Sequence, residues 1–253
     1  MPSNRQCGLF KFIMCILMFT SLVSEQGHSQ ESSSHDKGIY FHRQYSSSEY
    51  NGHTQNWAIT ESANGLVYIG NGNGLLEYDG VDWRMIEVAG GQVALSLALG
   101  QNEQIYVGSV NDFGVIRPDS LARPVFNSMT DRVPEELLDF EDVWETKAYS
   151  GGVVFRTRSA LFHVDYNDSL TTITPEERFE RIHAVGDDIY IVDLGIGLMK
   201  LENMQFNLIP DGETFKDLSV WYMAERSDGT IFIATRSGTF LFDGASVMPF
   251  ETE

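Results

Sequence analysis

Short apolar stretches alternate with turn-forming residues along most of the chain. Residues 68–80, Y-I-G-N-G-N-G-L-L-E-Y-D-G, contain an apolar run, glycines at alternate positions, a second apolar run and Asp-Gly. Residues 232–244, F-I-A-T-R-S-G-T-F-L-F-D-G, align with them without a gap. Short apolar runs bounded by Gly, Asn and Asp are typical of β-strands joined by tight turns. The pattern therefore predicts a repeated unit built of strands.

Five copies of this unit can be placed. Comparable strands start at residues 68, 106, 154, 190 and 232, at intervals of 38, 48, 36 and 42 residues. Another apolar strand precedes each of them, and the links between the two include the hairpin signals Asn64-Gly65 and Asp228-Gly229. Four strands in about 40 residues is the period of a β-propeller blade. We predict an all-β propeller with four-stranded blades near residues 55–88, 93–127, 142–170, 181–210 and 218–253.

The glycines at 70, 72 and 74 raise the alternative of a phosphate-binding loop. Such a loop opens a helix whose N-terminus holds the phosphate. Here the chain resumes as a strand from Leu75 to Tyr78, and the other four copies lack the glycine pattern. We therefore expect these glycines to form a turn that needs positive φ.

The first 29 residues have the features of a secretory signal. Arg5 and Lys11 precede an apolar run over residues 12–23, and the small residues Gly27 and Ser29 follow. We expect cleavage after Ser29, the alternative being an uncleaved anchor. Residues 30–52 are predicted to be a polar segment that could supply a ring-closing strand.

The net charge of the chain limits the kinds of molecule that it can bind. Both cysteines, Cys7 and Cys15, lie in the signal, and the rest of the chain has 15 basic and 35 acidic residues. Such a surface repels nucleic acid and anionic lipid. The sequence thus predicts an exported protein that binds no nucleic acid, with a neutral or cationic small molecule or a glycan as ligand.

The repeats resemble a known family. The stretches N-W-A-I-T-E-S-A-N-G-L-V-Y-I-G-N-G-N-G-L-L-E-Y-D-G-V-D-W and Y-V-G-S-V-N-D-F-G-V-I-R-P-D-S-L are similar to the two-component regulator propeller repeat. The similarity extends from about Tyr40 to Glu253. Arg156 departs from it, because the family pattern has glycine after the second strand, and blade three is therefore the weak copy.

The resemblance implies the periplasmic sensor region of a bacterial transmembrane regulator. Family propellers commonly have seven blades, so about five here indicate a truncated chain. A three-tyrosine β-domain, a transmembrane helix and an output module such as a histidine kinase usually follow. The resemblance then implies membrane contact only through C-terminal segments beyond this chain, and it allows a homodimer of the full-length protein.

Polar residues follow each second strand, on one face of the predicted ring. There they could bind a small ligand, and the alternative is ordinary turn chemistry. The ligand-binding candidates are Asn71, Asn73, Asp112, Arg156, Arg158, Asp193 and Arg236. The aromatic residues of the first strands are expected to pack in the core, with a stacking platform for ligand as the alternative; they are Trp57, Trp144, Trp221 and Tyr222.

Other motifs do not indicate chemistry. Asp165 to Glu176 mimics a calcium loop, but Leu170 stands where a glycine is needed, so we expect an interblade loop. The carboxylates of residues 134–142 read as the start of a helix. No nucleophile motif is present, and we expect no catalytic residue, no metal and no cofactor. The sequence favours a non-catalytic ligand sensor. A secreted propeller enzyme acting on glycans and a protein-binding scaffold remain alternatives.

Overall fold

β-Strands dominate a computed structural model that describes residues 42–251. The predicted signal segment, residues 1–29, lies outside the described residues. The described residues from Tyr45 onward form one compact unit. Within residues 42–251, three short 3-10 helices interrupt the strands, at Thr130–Arg132, Glu135–Leu137 and Gly212–Phe215.

The strands form five antiparallel sheets of four, and within each sheet the strands follow one another in chain order. The first three sheets, numbered here as blades one to three, comprise β1 Asn56–Glu61, β2 Val67–Asn71, β3 Gly74–Tyr78 and β4 Trp83–Ile86; β5 Ser96–Leu99, β6 Ile105–Gly108, β7 Phe113–Pro118 and β8 Pro124–Ser128; and β9 Glu145–Tyr149, β10 Gly152–Arg156, β11 Leu161–Val164 and β12 Leu170–Ile173. Blades four and five comprise β13 Phe179–Val185, β14 Asp188–Asp193, β15 Gly197–Glu202 and β16 Gln205–Leu208; and β17 Val220–Glu225, β18 Ile231–Thr235, β19 Gly238–Phe242 and β20 Val247–Pro249.

The sheets are arranged as successive blades. The first strand of each sheet packs beside the first strand of the next, β1 by β5, β5 by β9, β9 by β13 and β13 by β17. Because the first strand of a blade is the innermost, this order is that of a β-propeller. The predicted all-β propeller, with five blades in the described chain, is confirmed.

Large apolar side chains fill the spaces between neighbouring blades. Between blades two and three, Phe113 stacks on Phe162 with ring centroids 4.9 Å apart and lies 4.6 Å from the ring of Phe155. All three side chains are fully buried. Burial of each contributes roughly 1.5–3 kcal/mol. The interblade layers therefore hold the arc of blades together.

The alternate glycines form a hairpin turn. Residues 72 and 73 connect β2 to β3, and Leu75 pairs with Gly70 across the two strands. Gly74 has φ +134°, and a Cβ there would lie 2.6 Å from the carbonyl oxygen of Ile86. The expected positive φ is thus found at Gly74 alone, because Gly70 lies within β2 and neither Gly70 nor Gly72 has positive φ. No helix starts at this point.

Two other segments differ from the expected arrangement. Residues 165–169, predicted to lie in an interblade loop, form the turn between β11 and β12 inside blade three. The carboxylate of Asp165 accepts the backbone N–H groups of Asn167 and Ser169, which fixes that turn. Residues 45–52 form turns, and the rings of Tyr45 and Tyr50 pack on Trp83 of blade one.

Candidate ligand site

The residue that ends each second strand, or directly follows it, is short and polar in all five blades. It is Asn71, Ser109, Thr157, Asp193 or Thr235. The side chain of each bonds to the backbone, either of its own turn or of the chain that enters the first strand of the blade. This position of the repeat is therefore determined largely by turn and loop stabilisation.

Asn71 and Asp193 show this most fully. The Asn71 side chain is fully buried; it accepts the N–H of His53 at 2.9 Å and donates to the carbonyl oxygen of His53 at 2.7 Å. The carboxylate of Asp193 accepts the N–H groups of Glu176 at 2.7 Å and Arg178 at 2.8 Å. Both of these predicted site residues thus hold the segment that precedes a first strand.

The remaining turn residues lie further out. Asn73 and Arg236 are exposed. Asp112 accepts a hydrogen bond from the hydroxyl of Ser128 at 2.6 Å, and burial raises the pKa of its carboxyl. It lines a shallow cleft between blades one and two. The structure does not gather the seven predicted residues at one point.

Arg156 occupies a position that is small in the other blades. The equivalent residues are Gly70, Gly108, Val192 and Ala234. A Cβ at Gly70 would lie 2.6 Å from the carbonyl oxygen of Ala94, so neighbouring blades meet closely there. Blade three is nonetheless complete, because Arg156 pairs with Glu145 of β9 and with Leu161 of β11.

The charge of Arg156 is balanced by its cross-strand partner. Its Nε donates to Oε2 of Glu145 at 3.0 Å, and the two side chains are 10% and 16% exposed. The same oxygen accepts the backbone N–H of Ile182 in blade four at 3.0 Å. Oε1 of Glu145 lies 3.6 Å from the guanidinium of Arg181. One carboxylate therefore ties blade three to blade four and faces two arginines.

A cleft of about 420 Å³ opens between these two blades. It combines the end of β10, the turn that follows, the residue before β9 and the start of β13. Its lining residues are Trp144, Glu145, Arg156, Arg158, Arg178, Phe179, Glu180 and Arg181. Four arginines against two glutamates make the cleft locally cationic, although the chain as a whole has a net charge of −19.

Arg178 and Arg181 were not among the predicted site residues. Arg178 is held by the Asp193 carboxylate through its backbone, and its side chain donates to Glu180 at 2.9 Å. Arg181 is placed by a register shift in β13 between Phe179 and Ile182. Such a bulge redirects side chains out of the ladder. The repeat pattern could have indicated both residues. In a propeller, the segment that leads into one blade lies beside the second strand of the preceding blade, so residues 178–181 are expected near the end of β10.

The aromatic residues of the inner strands are exposed, which corrects the expectation that they pack in the core. Trp57, Trp144, Trp221 and Tyr222 are 46%, 38%, 53% and 58% exposed. Trp57 and Trp221 sit at register shifts at the start of β1 and β17. A bulge leaves the extra residue outside the ladder, which explains its outward position. Trp144 lies one residue before β9.

Trp144 lines the arginine cleft, and Trp221 and Tyr222 line the cleft beside it. The guanidinium of Arg181 lies 4.8 Å from the ring of Trp221, a cation–π distance. The rings of Trp57 and Trp144 lie edge to face, 6.3 Å apart. A second cleft shares Glu145 and Arg181 with the first and adds Trp221, Tyr222 and His183. The two clefts thus meet at Arg181.

His183 is held neutral at this inner surface. Burial lowers the pKa of its imidazole to about 4, against a smaller opposing effect of Glu145. Its Nε2 atom is buried and has no hydrogen-bond partner among residues 42–251. Within the same range, no group of three His, Cys, Asp or Glu side chains is placed to bind a metal ion. No helix of the described chain is long and apolar enough to cross a membrane.

Comparisons with known proteins agree on the fold. No family model matches the sequence, and no curated protein matches it. Among solved structures, virginiamycin B lyase from Staphylococcus aureus is 9% identical with a TM-score of 0.53, over 81% of this chain and 71% of that chain. The likeness establishes the β-propeller fold alone.

Two longer proteins contain a similar propeller. The extracellular domain of BT4673 from B. thetaiotaomicron, named as a one-component system, is 16% identical with a TM-score of 0.52, over 78% of this chain and 28% of that chain. The GH74 enzyme of Niastella koreensis is also 16% identical, with a TM-score of 0.52, over 79% of this chain and 32% of that chain. The solved relatives of this propeller thus include an extracellular signalling domain and enzymes.

Proposed function

We propose that this propeller is the ligand-sensing region of a transmembrane regulator of the two-component type, exported to the periplasm. It binds a small molecule or a glycan and does not transform it. The observation that carries the proposal is the exposed set of Trp144, Trp221 and Tyr222 beside the arginine cleft at the inner ends of blades three to five. Flat apolar rings next to a few polar groups are the usual composition of a small-molecule site.

The carboxylates of the cleft favour binding over catalysis. Hydrolysis of a glycosidic bond needs two carboxyl groups, one of which delivers a proton. Oε2 of Glu145 already accepts two N–H donors, and its Oε1 faces Arg181. Glu180 bonds to Arg178 and to the hydroxyl of Ser219. Neither residue is free to act as a general acid, which supports a non-catalytic role.

The resemblance of the repeats to sensor propellers and the likeness to the BT4673 extracellular domain support the signalling assignment. A ligand that contacts both blade three and blade four favours one arrangement of these blades. In a membrane-anchored regulator, such differential binding would shift the equilibrium of the output module.

A thermal-shift screen combined with product analysis tests the proposal. The full chain is heated with a panel of neutral sugars, sugar acids, amino acids and amines. A ligand that binds the folded state raises the unfolding temperature, and NMR after overnight incubation should recover it unchanged. Trp144→Ala should abolish the shift without lowering the ligand-free unfolding temperature. Consumption of the ligand, or a panel in which no compound shifts the transition, would contradict a non-catalytic sensor.

A further inference from the structure

The arginine cleft has guanidinium groups that the protein itself does not satisfy. Arg156 is nine-tenths buried, and Nε is its one atom that donates a hydrogen bond within residues 42–251. Its two terminal amino groups donate to no acceptor within these residues and are not fully buried, so they are open to a ligand in the cleft that the side chain lines. A guanidinium that the protein leaves open in this way can bind an anionic ligand through charge-assisted hydrogen bonds.

Arg158 adds a second unsatisfied guanidinium. It is exposed, lines the same cleft and makes no hydrogen bond or ion pair with any described residue. Arg178 is bonded to Glu180 through one amino group and is 56% exposed, so further donors face outward. The cleft thus presents an excess of positive charge in the fork geometry that binds carboxylates in a bidentate manner.

The rest of the surface determines which anion fits. With 36 acidic residues against 17 basic ones, the chain repels an extended polyanion that must lie along it. A compact anion that enters the cleft lies within a few ångströms of the arginines, well inside the Debye length of about 8–10 Å, so the local charges dominate. This favours a ligand with a single charged group.

Trp144 indicates that the part of the ligand attached to the charged group is a ring. The residue is 38% exposed and lines the cleft together with Arg156 and Arg158. An exposed indole offers a flat apolar face against which a ring can pack. The volume of about 420 Å³ is within the range of small-molecule sites, about 300–1,000 Å³.

We infer that the cleft between blades three and four binds a sugar acid, with its carboxylate on Arg156 and Arg158 and its ring against Trp144. The inference rests on the proposed sensor function and names the ligand class of the same site. It also revises the expectation of a neutral or cationic ligand, which considered the net charge and not its distribution.

Isothermal titration calorimetry of the full chain with D-galacturonate, D-galactose and acetate tests this inference. Galacturonate should bind at least tenfold more tightly than either of the others, because only it has both the ring and the carboxylate. Arg158→Gln should weaken galacturonate binding by about tenfold to a hundredfold, the effect of losing a charged hydrogen bond. The matched control is Arg236→Gln, at the equivalent exposed turn position of blade five, which should change the affinity by less than about twofold.

Trp144→Ala separates the two parts of the site. It should remove the advantage of galacturonate over acetate and leave acetate binding unchanged. Equal affinity for galactose and galacturonate, an Arg158→Gln variant that binds galacturonate normally, or no binding of galacturonate would each overturn the inference. If galactose binds tightly and Trp144→Ala abolishes that binding, the sugar-acid inference is overturned but the proposed sensor function is retained. If no compound in the wider thermal-shift panel binds, both the sugar-acid inference and the proposed sensor function are contradicted.

Discussion

Replacement of Glu145 by Gln should destabilise the fold far more than a typical charge-neutralising substitution. The Glu145 and Arg156 side chains are 16% and 10% exposed, and the carboxylate also faces Arg181. Breaking a buried ion pair leaves an uncompensated charge at a cost of about 3–5 kcal/mol. Because Arg156 borders the solvent-filled cleft, we expect the lower end, about 3 kcal/mol. Gln retains an oxygen acceptor for the N–H of Ile182, so that contact is preserved.

Equilibrium unfolding in urea measures the effect. With an m-value of about 1–3 kcal/mol per molar, a loss of 3 kcal/mol lowers the midpoint by about 1–3 M. The matched control is Glu180→Gln in the same cleft, whose partner Arg178 is 56% exposed; it should cost less than about 1 kcal/mol. An unchanged m-value shows that the midpoint shift reports stability.

The double variant Glu145→Gln/Arg156→Met completes the cycle. It removes both buried charges and keeps the acceptor for Ile182, so it should be more stable than Glu145→Gln alone by about 2 kcal/mol. The reasoning is refuted if Glu145→Gln shifts stability no more than Glu180→Gln, or if the double variant is no more stable than Glu145→Gln alone.

Three further outcomes are expected. The pKa of His183 is about 4 in the folded chain against an ordinary value of 6.5, so the unfolded chain takes up the proton first as the pH falls. Stability present above pH 6.5 is therefore lost progressively towards pH 4, by about 3 kcal/mol, and His183→Gln should flatten this loss in urea midpoints taken between pH 7 and 4.5. Gly70→Ala places a Cβ 2.6 Å from the carbonyl oxygen of Ala94 and should cost about 1–3 kcal/mol, measured by the unfolding temperature, with Val81→Ala, at a 79% exposed turn position of the same blade, as a near-neutral control. Asp193→Ala removes the acceptor of the Arg178 N–H and should cost about 1–3 kcal/mol, with faster hydrogen exchange across residues 176–178; unchanged exchange there would show that the carboxylate does not hold this segment.

The blades could be predicted because strands and turns are determined by residues that are close together in the sequence. Hairpin signals such as Asn64-Gly65 and the glycine at position 74 fix where each strand ends, and repetition of the unit then implies the propeller. The ends of the second strands were also correctly identified as one class of position. The hydrogen bonds of Asn71 and Asp193 could not be predicted in the same way, because they reach residues 15 or more positions away in the chain.

The exposed aromatics and the cleft were not predictable from local pattern. A strand that starts with an aromatic residue is usually part of a core, and nothing local reveals the bulges that expose Trp57 and Trp221. Arg156 was read as a sign of a weak blade, because the position is small elsewhere. Arg156, the compensating carboxylate of Glu145 and the bulged strand of blade four come from three separate segments of the chain.

A crystal structure of the full chain with D-galacturonate tests the central claim most directly. The account predicts the sugar between blades three and four, with its carboxylate within hydrogen-bond distance of Arg158 and its ring on Trp144. A ligand bound on another part of the propeller, or a cleft that stays empty at saturating galacturonate, would contradict it.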